Sequence, residues 1–208
     1  MTVTKIEMVS GSRSRVFLEE GEEFVLYKGE LRKYRIEEGG QLSEEAYREL
    51  QMQVLPKRAK LRAMNLLKNR RYTEKEMMDK LLRGGYQAKT AREAVEYVKS
   101  YRYIDDRQYV TDYIACRAQG HSLREMEQKL LQKGISRELF REVVEELEGD
   151  GFVADEEEAV RRILKKKHCT EKVMDEREKQ RLYAWFYRKG FSLDTVRRVM
   201  EDVLLDIT

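Results

Sequence analysis

At 208 residues the chain has room for one large domain or several small ones, and a hydrophobic fraction of 41% supports modest cores and excludes global disorder. Charged residues make up 39% and the single proline is Pro56, a composition that favours long solvated helices, because proline inside a helix removes a donor and clashes. The formal net charge is +3, with residues 1–57 carrying −2 and the remainder +5, a mild excess that permits nucleic-acid contact without requiring it.

Residues 1–36 have a β texture. Thr4–Val9, Arg15–Glu19 and Glu23–Lys28 are rich in β-branched and aromatic residues and are separated by Ser10-Gly11-Ser12 and Glu20-Gly21-Glu22, which read as turns. A small antiparallel meander is expected. Gly39-Gly40 breaks the chain, and Ser43 then stands as an N-cap before Ala46, Tyr47, Leu50 and Val54 at helical spacing. Pro56 is expected to end or kink that helix.

From Lys57 onward one helical pattern is written three times. Gly85, Gly134 and Gly190 lie 49 and 56 residues apart. At fixed distances before them stand Met77, Met126 and Leu182, then Leu81, Leu130 and Phe186. At offsets +6, +9, +10 and +13 come Ala91, Phe140 and Val196, Ala94, Val143 and Val199, Val95, Val144 and Met200, and Val98, Leu147 and Val203. Those offsets trace one face of an α-helix. Each glycine follows a helix and fits a left-handed C-cap. Thr73-Glu74-Lys75-Glu76 reads as a capping box, and Ser122-Leu123-Arg124-Glu125 stands at the matching place in the second copy. The third copy opens at Ala159 and Val160 and inserts about six residues before its second helix; the acidic stretch Glu145–Glu158 reads as a hinge. The expectation is a mainly α protein of three tandem three-helix, helix-turn-helix-like repeats in an elongated array behind a small antiparallel β segment. Its segments are 1–56, 57–104, 105–153 and 154–208. Arrays of this kind work by surface contact.

Chemistry-bearing motifs are sparse. Asp105-Asp106 opens a helix, where aspartates cap N–H groups and complement the dipole. Cys116 with His121, and His168 with Cys169, lack zinc-site spacing, and no phosphate-binding glycine loop or nucleophile elbow occurs. No metal, cofactor, small-molecule substrate or enzymatic activity is expected. Two cysteines without a disulfide framework fit a reducing cytoplasm. No apolar leader opens the chain, and the longest apolar run, Leu182–Tyr187, is too short to span a bilayer, so a cytoplasmic protein without membrane contact is expected. Tyr97, Tyr101, Tyr103, Tyr109 and Tyr113 form either a base-stacking platform or packing between bundles. Arg83, Lys133, Arg188 and Lys189 recur just before the aligned glycines, where a line of positive charge can form, although helix C-termini favour cations in any case.

Tyr103-Ile104-Asp105-Asp106, Tyr109, Tyr113, Arg117, Gly120, Glu125, Lys129-Leu130 and Lys133-Gly134-Ile135 together resemble the RecX family of bacterial recombination regulators. Leu66-Leu67, Arg71, Thr73, Glu76, Leu81-Leu82 and Gly85-Tyr86 extend the resemblance into the first copy, so that it covers about residues 57–205. One departure is Tyr101-Arg102, where the family pattern has Leu-Gly; another is the aromatic Leu182–Tyr187. The resemblance implies three tandem three-helix repeats, binding to the RecA–single-stranded DNA filament in its groove, with or without direct contact to the single strand, and inhibition of ATP hydrolysis and strand exchange. Arg83, Arg117, Lys129, Lys133, Arg188 and Lys189 are the candidate contact residues, read as exposed charges, and reversal of Lys129 and Lys133 is expected to leave the fold intact. The competing reading is a helix-turn-helix-like module acting directly on DNA.

Overall fold

The computed structural model describes residues 1–152, 154–169 and 174–205, with side chains through Val203. Two compact units result, Met1–Asp105 and Asp106–Thr208.

In the first unit, strands β1 (Val3–Ser10), β2 (Arg13–Leu18) and β3 (Glu23–Tyr27) form an antiparallel sheet in chain order. Alternation along β2 buries Ser14, Val16 and Leu18 on one face, as a period of two requires. That face packs with Phe24, Leu26, Ile36, Leu42, Leu50 and Leu55 in one core. Helix α1 (Lys28–Lys33) follows β3 directly, an element the sequence pattern did not reveal. Its start is held by the Glu30 carboxylate, which accepts from the Tyr27 N–H at 2.7 Å. Helix α2 (Glu44–Glu49) begins at Ser43, whose hydroxyl accepts from the Ala46 N–H as expected.

Pro56 does not end the helix. A π-turn, Leu50–Val54, joins α2 to α3 (Leu55–Leu67), and Pro56 sits in the first turn of α3. Proline supplies no N–H and its ring crowds the carbonyl four residues back; a widened turn accommodates both. Helix α3 packs with α4 (Glu74–Arg83) and α5 (Ala88–Ser100) around Ala59, Ala63, Met77, Leu81, Ala91, Ala94, Val95 and Val98.

The second unit repeats that arrangement twice. Helices α6 (Asp106–Arg117), α7 (Leu123–Gln132) and α8 (Arg137–Gly149) enclose Val110, Ile114, Met126, Leu130, Ile135, Phe140 and Val143. Helices α9 (Glu156–Lys166), α10 (Glu176–Arg188) and α11 (Leu193–Leu205) enclose Val160, Leu164, Phe186, Phe191, Val196, Val199 and Met200. Of the acidic stretch Glu145–Glu158, α8 takes the residues through Gly149 and α9 those from Glu156. The insertion expected before the third copy's second helix falls partly on residues 170–173, outside the described residues.

Gly85, Gly134 and Gly190 occupy equivalent helix ends, with φ of 86°, 89° and 82°. Each closes a Schellman motif. The N–H of Tyr86, Ile135 and Phe191 returns to the carbonyl of Leu81, Leu130 and Phe186 respectively, the buried residues already aligned by their spacing. Two of these glycines are needed for space as well as for φ. A Cβ on Gly85 would stand 2.2 Å from Val25 Cγ2, and one on Gly190 would stand 2.9 Å from both Arg124 Cβ and Ser122 Oγ.

Candidate partner-binding site

Helices α7 and α10 meet where the start of one abuts the end of the other. Ser122 is the N-cap of α7, its hydroxyl accepting from the Glu125 N–H at 3.1 Å while donating to the Lys189 carbonyl at 2.6 Å. One side chain thus satisfies a free N–H of α7 and a free carbonyl of α10, and it sets the positive end of one helix dipole against the negative end of the other.

Glu125 departs from its counterparts. Glu76 and Glu178 reach back to close capping boxes at the starts of α4 and α10. Glu125, only 8% exposed, turns instead into the junction. Its Oε1 accepts from Lys129 Nζ at 2.8 Å and from Lys189 Nζ at 2.7 Å, and its Oε2 meets His121 Nδ1 at 2.9 Å. Burial alone pushes this carboxyl upward. The hydrogen bonds from Lys129, Lys189 and His121 outweigh that and hold it at about 2, below the ordinary 4.5. A buried, ionised carboxylate therefore organises two ammonium groups at the mouth of a cleft.

That cleft, of ≈ 300 Å³, is walled by Gln128, Lys129 and Gln132 on α7 and by Trp185, Arg188 and Lys189 at the end of α10. Lys167 Nζ lies 4.4 Å from the Trp185 ring centroid, and Lys189 Nζ 5.8 Å. Arg188 is exposed at the rim. The surface offered to a partner is cationic, with amide donors and an aromatic face, and is held in place by a charge beneath it.

The candidate contact residues separate into three places. Lys129, Arg188 and Lys189 come together in this cleft. Lys129 and Lys189 are corrected, however, from freely exposed charges to the two ammonium partners of Glu125, with 38% of each side chain exposed. Arg117 and Lys133 flank a tyrosine pair on the same bundle. The Arg117 guanidinium lies 4.8 Å from the Tyr113 ring, Tyr113 stacks on Tyr109 at 6.4 Å, and Lys133 Nζ lies 5.6 Å from Tyr109. Both tyrosines also pack against the α6–α8 core. Arg83 is exposed on the last turn of α4, in the other unit. Spacing alone did not reveal Glu125, Trp185 or exposed Arg124, whose placement depends on contact between residues about sixty apart in sequence. Among the described residues, no cluster of His, Cys, Asp or Glu can hold a metal ion, and no helix is long and apolar enough to cross a membrane.

Comparison with known proteins places this architecture. Residues 59–97 match the family model of the first three-helix domain of RecX, and residues 155–200 that of its third. The regulatory protein RecX of Caldanaerobacter subterraneus subsp. tengcongensis is 28% identical over 165 residues, 79% of this chain and 80% of that one. That of Bacillus licheniformis is 26% identical over 202 residues, 96% of this chain and 76% of the other. A crystal structure of a regulatory protein RecX shares the fold at a TM-score of 0.61 and 19% identity, covering 96% of this chain and 98% of its own. The RecX structure from Lactobacillus salivarius does so at 0.58 and 17%, covering 73% and 98%. With matched helix ends in all three copies and the RecX models lying on two of them, the chain belongs to the RecX family of regulatory proteins.

Proposed function

We propose that this protein is a cytoplasmic regulator of homologous recombination and DNA repair that binds the RecA–single-stranded DNA filament in its groove and mainly inhibits its ATPase and strand exchange. Membership of the RecX family carries the reading. Its physical support is a chain of tandem helical units, in which several modest contacts on one repeating ligand combine into avidity. The α7–α10 cleft adds an exposed arginine and an aromatic face suited to an anionic filament surface. Regulation of this kind needs no catalytic residue, because tighter binding to one filament state than to another shifts the population.

Co-sedimentation with RecA filaments tests the reading. The protein is expected to pellet with RecA assembled on single-stranded DNA, and Arg188→Glu is expected to weaken that association at least tenfold while leaving the melting temperature unchanged. Absence of the parent protein from the pellet at micromolar concentration would reject filament binding. Equal binding by Arg188→Glu would move the contact away from the cleft.

A further inference from the structure

A second cationic site lies in the first unit, where the sheet meets the first three-helix bundle. Arg13, at the start of β2, pairs in register with Tyr27 at the end of β3. Together with Arg58 and Arg62 of α3 and with Gly84 and Tyr86 at the end of α4, they line a cleft of ≈ 190 Å³. Arg58 is fixed. It donates to Glu30 Oε2 at 2.5 Å and to the Val25 carbonyl, and its guanidinium lies 4.9 Å from the Tyr27 ring and 5.5 Å from Tyr86. Its Nε is buried and has no hydrogen-bond partner.

Glu30 balances only one of the three arginines. Arg13 donates to Ser10 Oγ at 3.1 Å, and neither it nor exposed Arg62 forms an ion pair with a described residue. Two positive charges, those of Arg13 and Arg62, are thus left over in the concavity. Planar guanidiniums converging on a small space suit the tetrahedral oxygens of a phosphate group, which accept paired N–H bonds. Beside them Tyr27 keeps 41% of its surface exposed, a face on which a base can stack.

We propose that this cleft binds single-stranded nucleic acid directly, a backbone phosphate held by Arg13, Arg62 and the preorganised Arg58, and an adjoining base lying on Tyr27. A duplex keeps its base faces stacked internally and offers Tyr27 none. The sheet and α3 together therefore supply a DNA contact that operates without RecA, separate from the α7–α10 cleft.

The test uses the full chain, a labelled thymidine oligonucleotide and fluorescence anisotropy in the absence of RecA. Arg13→Ala with Arg62→Ala is expected to weaken binding at least tenfold and to lower the log–log salt slope by about 1.4, two phosphate contacts at roughly 0.7 each for a single strand. Tyr27→Ala is expected to weaken it several-fold, and a duplex of the same length to bind less well. The matched control is Lys89→Ala with Arg92→Ala, two exposed cations of α5 that do not line the cleft, expected to change affinity less than twofold. Arg62→Glu serves as a second variant, since Arg62 makes no hydrogen bond or ion pair with a described residue whose loss would unfold the chain. Unchanged affinity in a folded variant, or equal losses for cleft and control pairs, would overturn the proposal. So would competition by polyglutamate as effective as that by unlabelled oligonucleotide. If the cleft pair keeps its DNA affinity but loses association with RecA filaments, the cleft is a protein contact and the direct-binding proposal fails while the RecA reading stands.

Discussion

Replacing Glu125 by Gln removes the charge on which the α7–α10 junction is organised while nearly preserving its shape. The carboxyl is held at about 2 instead of 4.5, roughly 2.5 pH units, and each unit corresponds to about 1.36 kcal/mol. About 3 kcal/mol is therefore the ceiling on what ionisation of this group adds to stability at neutral pH. The partners reduce that figure. Lys129 and Lys189 are each 38% exposed, so their ammonium groups can turn to water when the carboxylate is gone, and the glutamine amide keeps one acceptor for them. A loss of about 1–3 kcal/mol is expected for Glu125→Gln at pH 7, read from urea unfolding. The pH dependence is the sharper readout. A carboxyl whose folded pKa is depressed contributes stability above its unfolded value and loses it as pH falls through the folded one. The parent's advantage over the variant is thus expected to be complete above about pH 4.5 and to vanish as pH approaches about 2. Equal or greater stability of Glu125→Gln at pH 7 would refute the reasoning, as happens where buried ion pairs only repay their desolvation.

Further expectations follow from neighbouring geometry. Gly85→Ala is expected to cost about 2–4 kcal/mol, because a Cβ meets Val25 Cγ2 at 2.2 Å at a φ of 86°, whereas Gly151→Ala, at a φ of 89° with nothing within 4 Å, is expected to cost only about 1; equal melting temperatures would contradict the steric part. Arg102 stands at a φ of 56° at the end of α5, so Arg102→Gly is expected to stabilise by about 0.5–1 kcal/mol in urea melts, and a clear destabilisation would show that its side chain holds the turn. Lys129→Glu sets a second carboxylate beside Glu125 and is expected to destabilise by about 1–3 kcal/mol, against no measurable change for Arg188→Glu; equal thermal midpoints would mean that the junction tolerates the loss of its internal ion pair.

Much of the fold was legible because local physics fixed it. A left-handed C-cap requires a residue that tolerates positive φ, and the apolar offsets around Gly85, Gly134 and Gly190 mark the helix faces that the three cores bury. Where the same turn is made by Arg102 or His168, both at a φ of 56°, composition gave no signal. Helix α1 was hidden because Tyr27 does not resemble an N-cap, the work being done by Glu30 three residues later. The π-turn before Pro56 was not separable from a helix end, since both answer the same missing donor. The site was harder to read. Ser122-Leu123-Arg124-Glu125 has the residues of a capping box, but Glu125 turns instead to His121, Lys129 and Lys189, the last of them 64 residues later. Arg13, Arg58 and Arg62 are scattered across a strand and a helix, and packing alone brings them into one cleft.

RecA-dependent ATP hydrolysis on single-stranded DNA, followed while this protein is titrated in, tests the central claim most directly. Filament-level regulation predicts suppression at well below one molecule per RecA protomer, weakened at higher salt and by Arg188→Glu. Undiminished hydrolysis at equimolar protein, with the chain shown to be folded, would contradict it.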